Sequence, residues 1–374
     1  MKIAIIGGGL AGLSLSILCA KQGMKVQLFE KKKYPFHKVC GEYIAMESWS
    51  FLQRIGVPLS SMDLPRIDEL VVSAPNGNQL LQKMTTGGFG VSRYTLDRLL
   101  AEIAREAGVE VHEQTAVQAL ETTSEKAIIS TPRDTYEVDI ACGAFGKRAN
   151  LDVQLKRAFL QKTQRQARHY IGVKYHIQVD GFPTNRIELH NFKDGYCGIS
   201  KVEGNRYCLC YLTTAQNLRT YNNDIKEMER QVLYRNPYLK DYFERSTFLY
   251  EKPLAISNIS FVPKTTQEKH LLLLGDAAGL ITPLCGNGMS MAMHSAALLG
   301  ELLAHFAAKK IDRSTLEKVY QTTWQQQFRT RLKAGRLLQS LFGKEWTTNW
   351  VINSLRPFPG VVRKLITLTH GSPF

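Results

Sequence analysis

KIAIIGGGLAGLSLSILCAKQGMKVQLFE, residues 2–30, decides how this chain begins to fold. Lys2–Ile6 is a short apolar run suited to a strand buried on both faces. Gly7, Gly9 and Gly12 follow, and Leu13, Leu15, Ile17 and Leu18 keep helical spacing until Gly23. Lys25–Phe29 is a second buried strand, ending on Glu30. Gly7 permits a tight turn, Gly9 lets backbone approach a pyrophosphate, and Gly12 allows close helix–strand packing. The unpaired N–H groups at the helix start attract phosphate. Glu30, 18 residues after Gly12, is placed to accept hydrogen bonds from an adenosine ribose. Together these features specify a βαβ unit that binds a dinucleotide, and the acid disfavours a 2′-phosphate at this site.

The chain has 374 residues, is 44% hydrophobic and carries a formal net charge of +15. That length accommodates one large core or two smaller ones. The positive excess attracts an anionic partner such as a lipid surface, a cofactor or a charged substrate. No zinc-finger spacing, RNA-binding signature or Arg/Gly tail is present, so nucleic acid is not expected. Seven cysteines, an odd number spread through apolar runs, read as free thiols in a reducing compartment. Cys208 and Cys210 would share one side of a strand, but no second pair completes a four-ligand site, and no metal is expected. Fixed glycine offsets distinguish residues 3–20 from a signal peptide. The apolar stretch from Leu271 is interrupted by Asp276 and Pro283, unlike a membrane span. The expected location is cytoplasmic, peripheral at a membrane.

A second signature occupies residues 266–300, TQEKHLLLLGDAAGLITPLCGNGMSMAMHSAALLG. Leu271–Leu274 reads as a buried strand, Gly275 and Asp276 end it, and a long helix starts near Gly288. An aspartate at the carboxyl edge of a parallel strand suits a cofactor sugar or ribityl hydroxyl. The two signatures together resemble the flavoprotein monooxygenase superfamily, closest in motif to its geranylgeranyl-reductase-like branch. The resemblance implies FAD as cofactor, with Gly275 and Asp276 at the ribityl chain and Pro283, Gly286 and Gly288 at the isoalloxazine ring. It assigns Arg93 to the ribityl or phosphate region and the backbone of Val117 to adenine, with Lys38 and Met289 in the same cofactor shell. Lys38-Val39-Cys40-Gly41-Glu42 is similar to a flavin-side loop of the reductase branch, which makes Cys40 and Glu42 the candidate catalytic side chains. Cys40 is either a proton donor or a packing residue, and Glu42 either a general acid or a loop anchor.

One segment departs from the pattern. Residues 138–149 read VDIACGAFGKRA, and Phe145 stands where the superfamily carries an aspartate. A phenyl ring neither accepts a hydrogen bond nor carries charge. FAD binding is expected to survive this change. The electron donor is expected to be NADPH or NADH, acting directly or through a separate reductase.

Period-2 stretches at 67–72, 170–179, 186–192, 195–202 and 206–212 read as antiparallel strands laid over the flavin. The expected architecture is α/β. A Rossmann-like FAD-binding domain of the glutathione-reductase type comprises residues 1–60, 89–150 and 265–325. An inserted antiparallel sheet, residues 61–88 and 151–264, forms the substrate domain, and 326–374 form a C-terminal helical region. Tyr43, Phe89, Tyr196, Tyr207 and Pro283–Leu284 are the expected chamber walls, suited to an apolar substrate.

Basic residues concentrate between Lys147 and Arg168 and again from Arg329 onward, where Glu345 is the only acid. Residues 326–342 can form one helix with apolar and basic sides, and Pro357 and Pro359 terminate any later helix. This surface is either a helical pair packed on the cofactor domain or a face for transient contact with an anionic membrane. The resemblance implies an FAD-dependent monooxygenase that hydroxylates or epoxidises an aromatic, polyketide or prenyl-like substrate through a flavin C4a-hydroperoxide. The alternative is reduction of alkene bonds in a prenyl chain. Oligomeric state is not encoded in any of these features.

Overall fold

The computed structural model describes residues 1–164, 169–341 and 344–374, with the backbone alone for Gln164 and Cys285. Arg165 and Arg168 of the first basic region and Phe342 of the C-terminal set lie outside the described residues. The chain opens with β1 (Lys2–Ile6), α1 (Leu10–Lys21) and β2 (Lys25–Phe29). Next come β3 (Tyr43–Ala45), α2 (Trp49–Ile55), the hairpin β4 (Arg66–Ser73) and β5 (Gln79–Gly90), α3 (Arg93–Glu106) and β6 (Glu110–His112). Three short strands, β7 (Ala119–Thr122), β8 (Ala127–Ser130) and β9 (Thr135–Val138), lead to β10 (Ile140–Gly143). After α4 (Asn150–Gln154) and α5 (Ala158–Gln164) come β11 (Tyr170–Gln178), β12 (Arg186–Phe192), β13 (Gly195–Val202) and β14 (Arg206–Thr214). Then follow α6 (Ala215–Thr220), α7 (Ile225–Val232), α8 (Pro237–Arg245), β15 (Thr247–Phe248), β16 (Leu254–Ile259), β17 (Gln267–Glu268) and β18 (Leu271–Leu273). The chain ends with α9 (Gly288–Ala307), α10 (Arg313–Leu341), α11 (Glu345–Leu355) and α12 (Pro359–Thr367).

Beside a small antiparallel sheet, β7-β8-β9, two larger sheets divide the work. In the first, β18, β10, β1, β2 and β6 run parallel, with β17 antiparallel at the edge. Ile3, Ala4 and Ile5 are fully buried there because α1 and the β7–β9 strands both pack on this sheet. Helix α1 is apolar all round for the same reason, packed on the sheet and against α9 and α3. Gly300 of α9 lies close to α1, where a Cβ would come within 3.2 Å of the Leu18 side chain.

The second sheet has the order β15-β11-β14-β13-β12-β4-β5-β3, with β16 on β11. Alternation sorts its side chains to two faces. Val173, Tyr175, Ile177, Leu209 and Tyr211 pack outward on Met228, Val232, Leu239 and Phe243 of α7 and α8. The paired inward positions hold Gly172, Lys174, His176, Gly198, Ser200, Cys208 and Cys210. These are mostly small residues, and they leave room between this sheet and the first.

The C-terminal region differs from the expectation in two respects. Helix α10 spans 29 residues from Arg313, so a division at residue 326 falls inside it. Leu316, Tyr320, Trp324 and Phe328 seat it in the main core, and burial overrides any break there. Pro359 starts α12 instead of ending a helix, because the first helical position needs no N–H. Among the described residues no helix is long and apolar enough to cross a membrane.

Candidate cofactor and substrate site

The glycine turn is shaped by what a side chain would strike. A Cβ at Gly7, whose φ is +108°, would lie 2.5 Å from the Ala144 carbonyl oxygen, and one at Gly12 only 2.0 Å from that of Gly7. Position 9 faces only the cationic ends of Lys38 and Arg93, 3.7 and 3.8 Å from a built Cβ. No side chain caps the N-terminus of α1, so its first N–H groups face outward. Gly8 N–H and Lys32 N–H donate to the two oxygens of Glu30, at 2.9 and 3.0 Å. Thr115 N–H donates to the Glu30 carbonyl at 2.9 Å and brings the loop of Val117 beside it. Glu30 and Val117, assigned to ribose and adenine, are therefore neighbours.

Lys38 and Arg93 meet on a common anion. Arg93 donates through Nε and a terminal nitrogen to Asp97, both at 2.8 Å, and Lys38 Nζ lies 3.0 Å from the same carboxylate. Burial raises the Asp97 pKa, but Arg93 and Lys38 outweigh it and hold the group below the usual carboxylate range. Two cations sharing one anion leave net positive charge beside the Gly9 turn, which suits a pyrophosphate.

Glu42 occupies a different setting. It adopts φ 56° and is fully buried. Its carboxylate accepts the Arg93 backbone N–H at 2.7 Å, a hydrogen bond from Lys174 Nζ, and one from His176 Nε2 at 2.6 Å. Burial raises its pKa, and the His176 hydrogen bond and Lys174 charge more than reverse that. His176 continues to the Tyr250 hydroxyl at 2.8 Å, and Tyr250 to His37 at 2.9 Å. Glu42 is thus an ionised anchor that ties the Cys40 loop to β11. Burial lowers the His37 pKa to about 4, so it adds no positive charge to the neighbouring lysines near neutral pH. Glu42, His176 and Cys208 offer ligand atoms within 4.8 Å of one another, but the Lys174 ammonium already pairs with Glu42.

The late turn closes over this loop. Gly275, with φ +60°, donates its N–H to Ser295 Oγ at 3.0 Å, and Lys264 Nζ donates to the Asp276 carbonyl at 2.8 Å. Among the described residues no hydrogen bond engages the Asp276 carboxylate. Gly286, with φ +66°, sits against Tyr43, 3.0 Å from a built Cβ. The Asn287 amide donates to the Thr369 carbonyl instead of capping α9, so the helix start at Gly288 is uncapped by any side chain. Cys40 Sγ lies 3.6 Å from Met289 Sδ. Gly286, Gly288, Met289 and Cys40, 249 residues from Met289, converge at one place.

The model of a family described as FAD binding domain matches residues 1–326. The chain belongs to that family. It is an FAD-dependent oxidoreductase. Conditioned medium factor receptor 1 of Dictyostelium discoideum is 25% identical over 87% of this chain and 68% of its own length. Digeranylgeranylglycerophospholipid reductase of Methanococcus vannielii is 24% identical over 92% of this chain and 88% of its own. Among solved structures CmlS, a flavin-dependent halogenase, aligns with a TM-score of 0.79 at 18% identity, over all of this chain and 74% of that one.

The residues fit FAD. Gly7, Gly9 and Gly12 hold backbone clear for the pyrophosphate, Lys38 and Arg93 supply charge, and the Asp276 carboxylate has acceptor capacity for a ribityl hydroxyl. The uncapped N-terminus of α9 would offer a positive helix end to negative charge on a reduced flavin ring. Phe145 lies half-buried at the end of β10, its ring filling the space 2.6 Å from a built Cβ at Gly143.

The space between the two larger sheets is where the substrate chamber is expected. Leu189 and Leu284 pack with Tyr196, Leu212 and Leu280 in one apolar cluster, and Tyr43 packs with Met84 and Ile67 in another. Phe89 and Tyr207, expected as walls, sit elsewhere. Phe89 lies in the main core edge-on to Trp49, and Tyr207 is on the outer sheet face against Phe182. A strand's period of 2 sends neighbours to opposite faces, and the sequence does not say which face is inward. Arg157 of the first basic region is also internal, bonded to Asp152 at 2.7 Å and to the Ala277 carbonyl at 3.0 Å. Lys174, His176 and Asp97 escaped sequence reasoning. Lys174 and His176 alternate with apolar residues in YIGVKYHIQ, which was the available signal.

Proposed function

We propose that this enzyme inserts one oxygen atom into an apolar aromatic, polyketide or prenyl-like compound. Bound FAD supplies the electron storage and oxygen activation. The inner wall carries the reading: Leu189, Gly198, Cys210 and Leu284 keep half-buried surface there, while Glu42 pairs with Lys174 and accepts a hydrogen bond from His176. Such a wall binds an apolar substrate and excludes water from the reacting centre. Residues of the α9 N-terminus stabilise negative charge on the ring system, and Lys38 and Arg93 hold the phosphates. NADPH or NADH is the electron source, and Phe145 favours delivery through a separate reductase because it offers a nicotinamide no hydrogen-bond acceptor.

A second reading, reduction of an alkene in a prenyl chain, is favoured by the Cys40 thiol. It is half-buried beside the late turn, where it would give a proton to a substrate carbon. The test is to reduce the FAD-loaded enzyme with dithionite and supply 4-nonylphenol or geranylgeraniol, under 18O2 or under argon. One 18O atom in the product supports oxygen insertion. Two added hydrogens under argon, abolished by Cys40→Ala, support reduction. Reoxidation to peroxide with both compounds recovered unchanged overturns both.

A further inference from the structure

The C-terminal helices present a surface that neither reading uses. Of twelve exposed large hydrophobic side chains in the described residues, seven are Leu337, Leu341, Trp346, Trp350, Phe358, Val361 and Leu368. Trp346 is 77% exposed, Trp350 62% and Phe358 58%. Their orientation follows from helical spacing. On α11 the buried side is Thr348 and Ile352, and Ile352 packs on Val72, Ala74 and Leu80 at the β4–β5 hairpin. Trp346 and Trp350, four apart, are turned away from that contact. On α12 Val362 and Ile366 pack inward, and Val361, Lys364 and Leu368 form the opposite stripe. At the end of α10, Arg329, Lys333, Leu337 and Leu341 repeat every four residues, all exposed.

Charge accompanies the apolar groups. Arg329, Lys333, Lys344, Arg356, Arg363 and Lys364 are exposed, and Glu345 is the only acid from Arg329 onward. Arg336 is half-buried, and Arg331 is buried and bonds Glu47 at 3.2 Å. Tryptophan and phenylalanine interleaved with lysine and arginine match the layered chemistry of an anionic bilayer surface. A second copy of this face would set cations against cations, which opposes self-association.

A cavity of about 220 Å³ lies between Met84–Gly87 of β5 and Ile366, His370 and Gly371 of α12 and the tail. Met84 Sδ is 3.9 Å from the Tyr43 hydroxyl, and Tyr43 lies against Gly286 of the late turn.

We propose that the outer face of α11 and α12, continued by the end of α10, docks this enzyme on an anionic lipid bilayer. The apolar substrate is drawn from that bilayer beside the cavity, and to that extent the proposal rests on the apolar-substrate reading above. The test is sedimentation of the full, oxidised, FAD-loaded chain with vesicles of phosphatidylcholine, alone or containing about one third phosphatidylglycerol. Anionic vesicles are expected to bind at least about tenfold more tightly than neutral ones, with the difference lost at high salt. Arg363→Gln with Lys364→Gln should weaken binding by about thirtyfold, near fivefold per charge. Trp346→Ala with Trp350→Ala should weaken it about tenfold. Retained flavin absorbance in each variant shows that the fold is intact. Equal binding to both vesicles, no binding, tighter binding to random duplex DNA, or a dimer that shields both tryptophans from a quencher would overturn the proposal. Because the protein is oxidised and turns nothing over, vesicle binding stands or falls independently of the reaction. Turnover of detergent-dispersed 4-nonylphenol without vesicle binding would overturn the docking alone.

Discussion

The glycine turn at residues 7–12 and the anchor at Glu42 both adjoin Arg93, yet they are built in opposite ways. The turn is a site made by backbone. Its walls are carbonyl oxygens a few ångströms from where a Cβ would be, and its ligand groups are N–H groups and a helix end. The Glu42 anchor is made by side chains from three distant segments, with Lys174 and His176 more than 130 residues away. A backbone site tolerates no added atom. A side-chain site tolerates changes of shape but not an unpaired charge.

Gly12→Val attacks the first kind of site and has the largest expected effect. A Cβ 2.0 Å from a backbone oxygen cannot be relieved by a rotamer change, and the cost should exceed about 4 kcal/mol. The purified protein should lack flavin absorbance and fail to take up added FAD. Normal FAD content in this variant would sink the assignment of the turn.

Glu42→Ala attacks the second kind. It leaves Lys174 buried without its anion and should destabilise the FAD-loaded protein by about 3–5 kcal/mol in urea unfolding. Adding Lys174→Met should recover a large part of that loss. If the double variant is as unstable as the two single changes summed, the pair is not coupled and the contrast fails.

The outer face of the same sheet sharpens the comparison. Glu229 accepts the hydroxyls of Tyr175 and Tyr211 at 2.9 and 2.8 Å, and among the described residues no cation bonds it. Burial raises its pKa to about 7 in spite of those bonds. Its folded-state pKa lies above the unfolded value, so its contribution is fully present below about pH 4.5 and is lost as pH rises through about 7. Glu229→Gln keeps the acceptor and removes the charge. It should raise stability by roughly 2 kcal/mol at pH 8 and change it little at pH 4. Equal effects at both pH values would show that Glu229 does not take up a proton on folding.

Legibility in the sequence followed the same division. Strand, glycines, helix and Glu30 are contiguous, and β1, α1 and β2 lie where the periodicity places them. Strands β12 and β13 match the period-2 reading residue for residue, because alternation and turn residues are both local. The start of α10 was missed although Asp312 caps it, accepting the Thr315 N–H at 2.8 Å, and core contacts of Tyr320 and Trp324 then hold its first half. Cys40 and Met289 were assigned separately by resemblance, and only the folded chain brings their sulfurs to 3.6 Å.

The sequence by itself determined that this chain builds a dinucleotide cradle, since that chemistry needs backbone conformations written in adjacent residues. It also determined the late Gly-Asp turn and the excess of positive charge. Only the tertiary structure decided that Glu42 is an ionised anchor, that Phe89 and Tyr207 lie away from the chamber, and that two tryptophans face outward beside lysine and arginine. Burial and pairing of a side chain depend on which distant segments pack around it, and no local spacing carries that information.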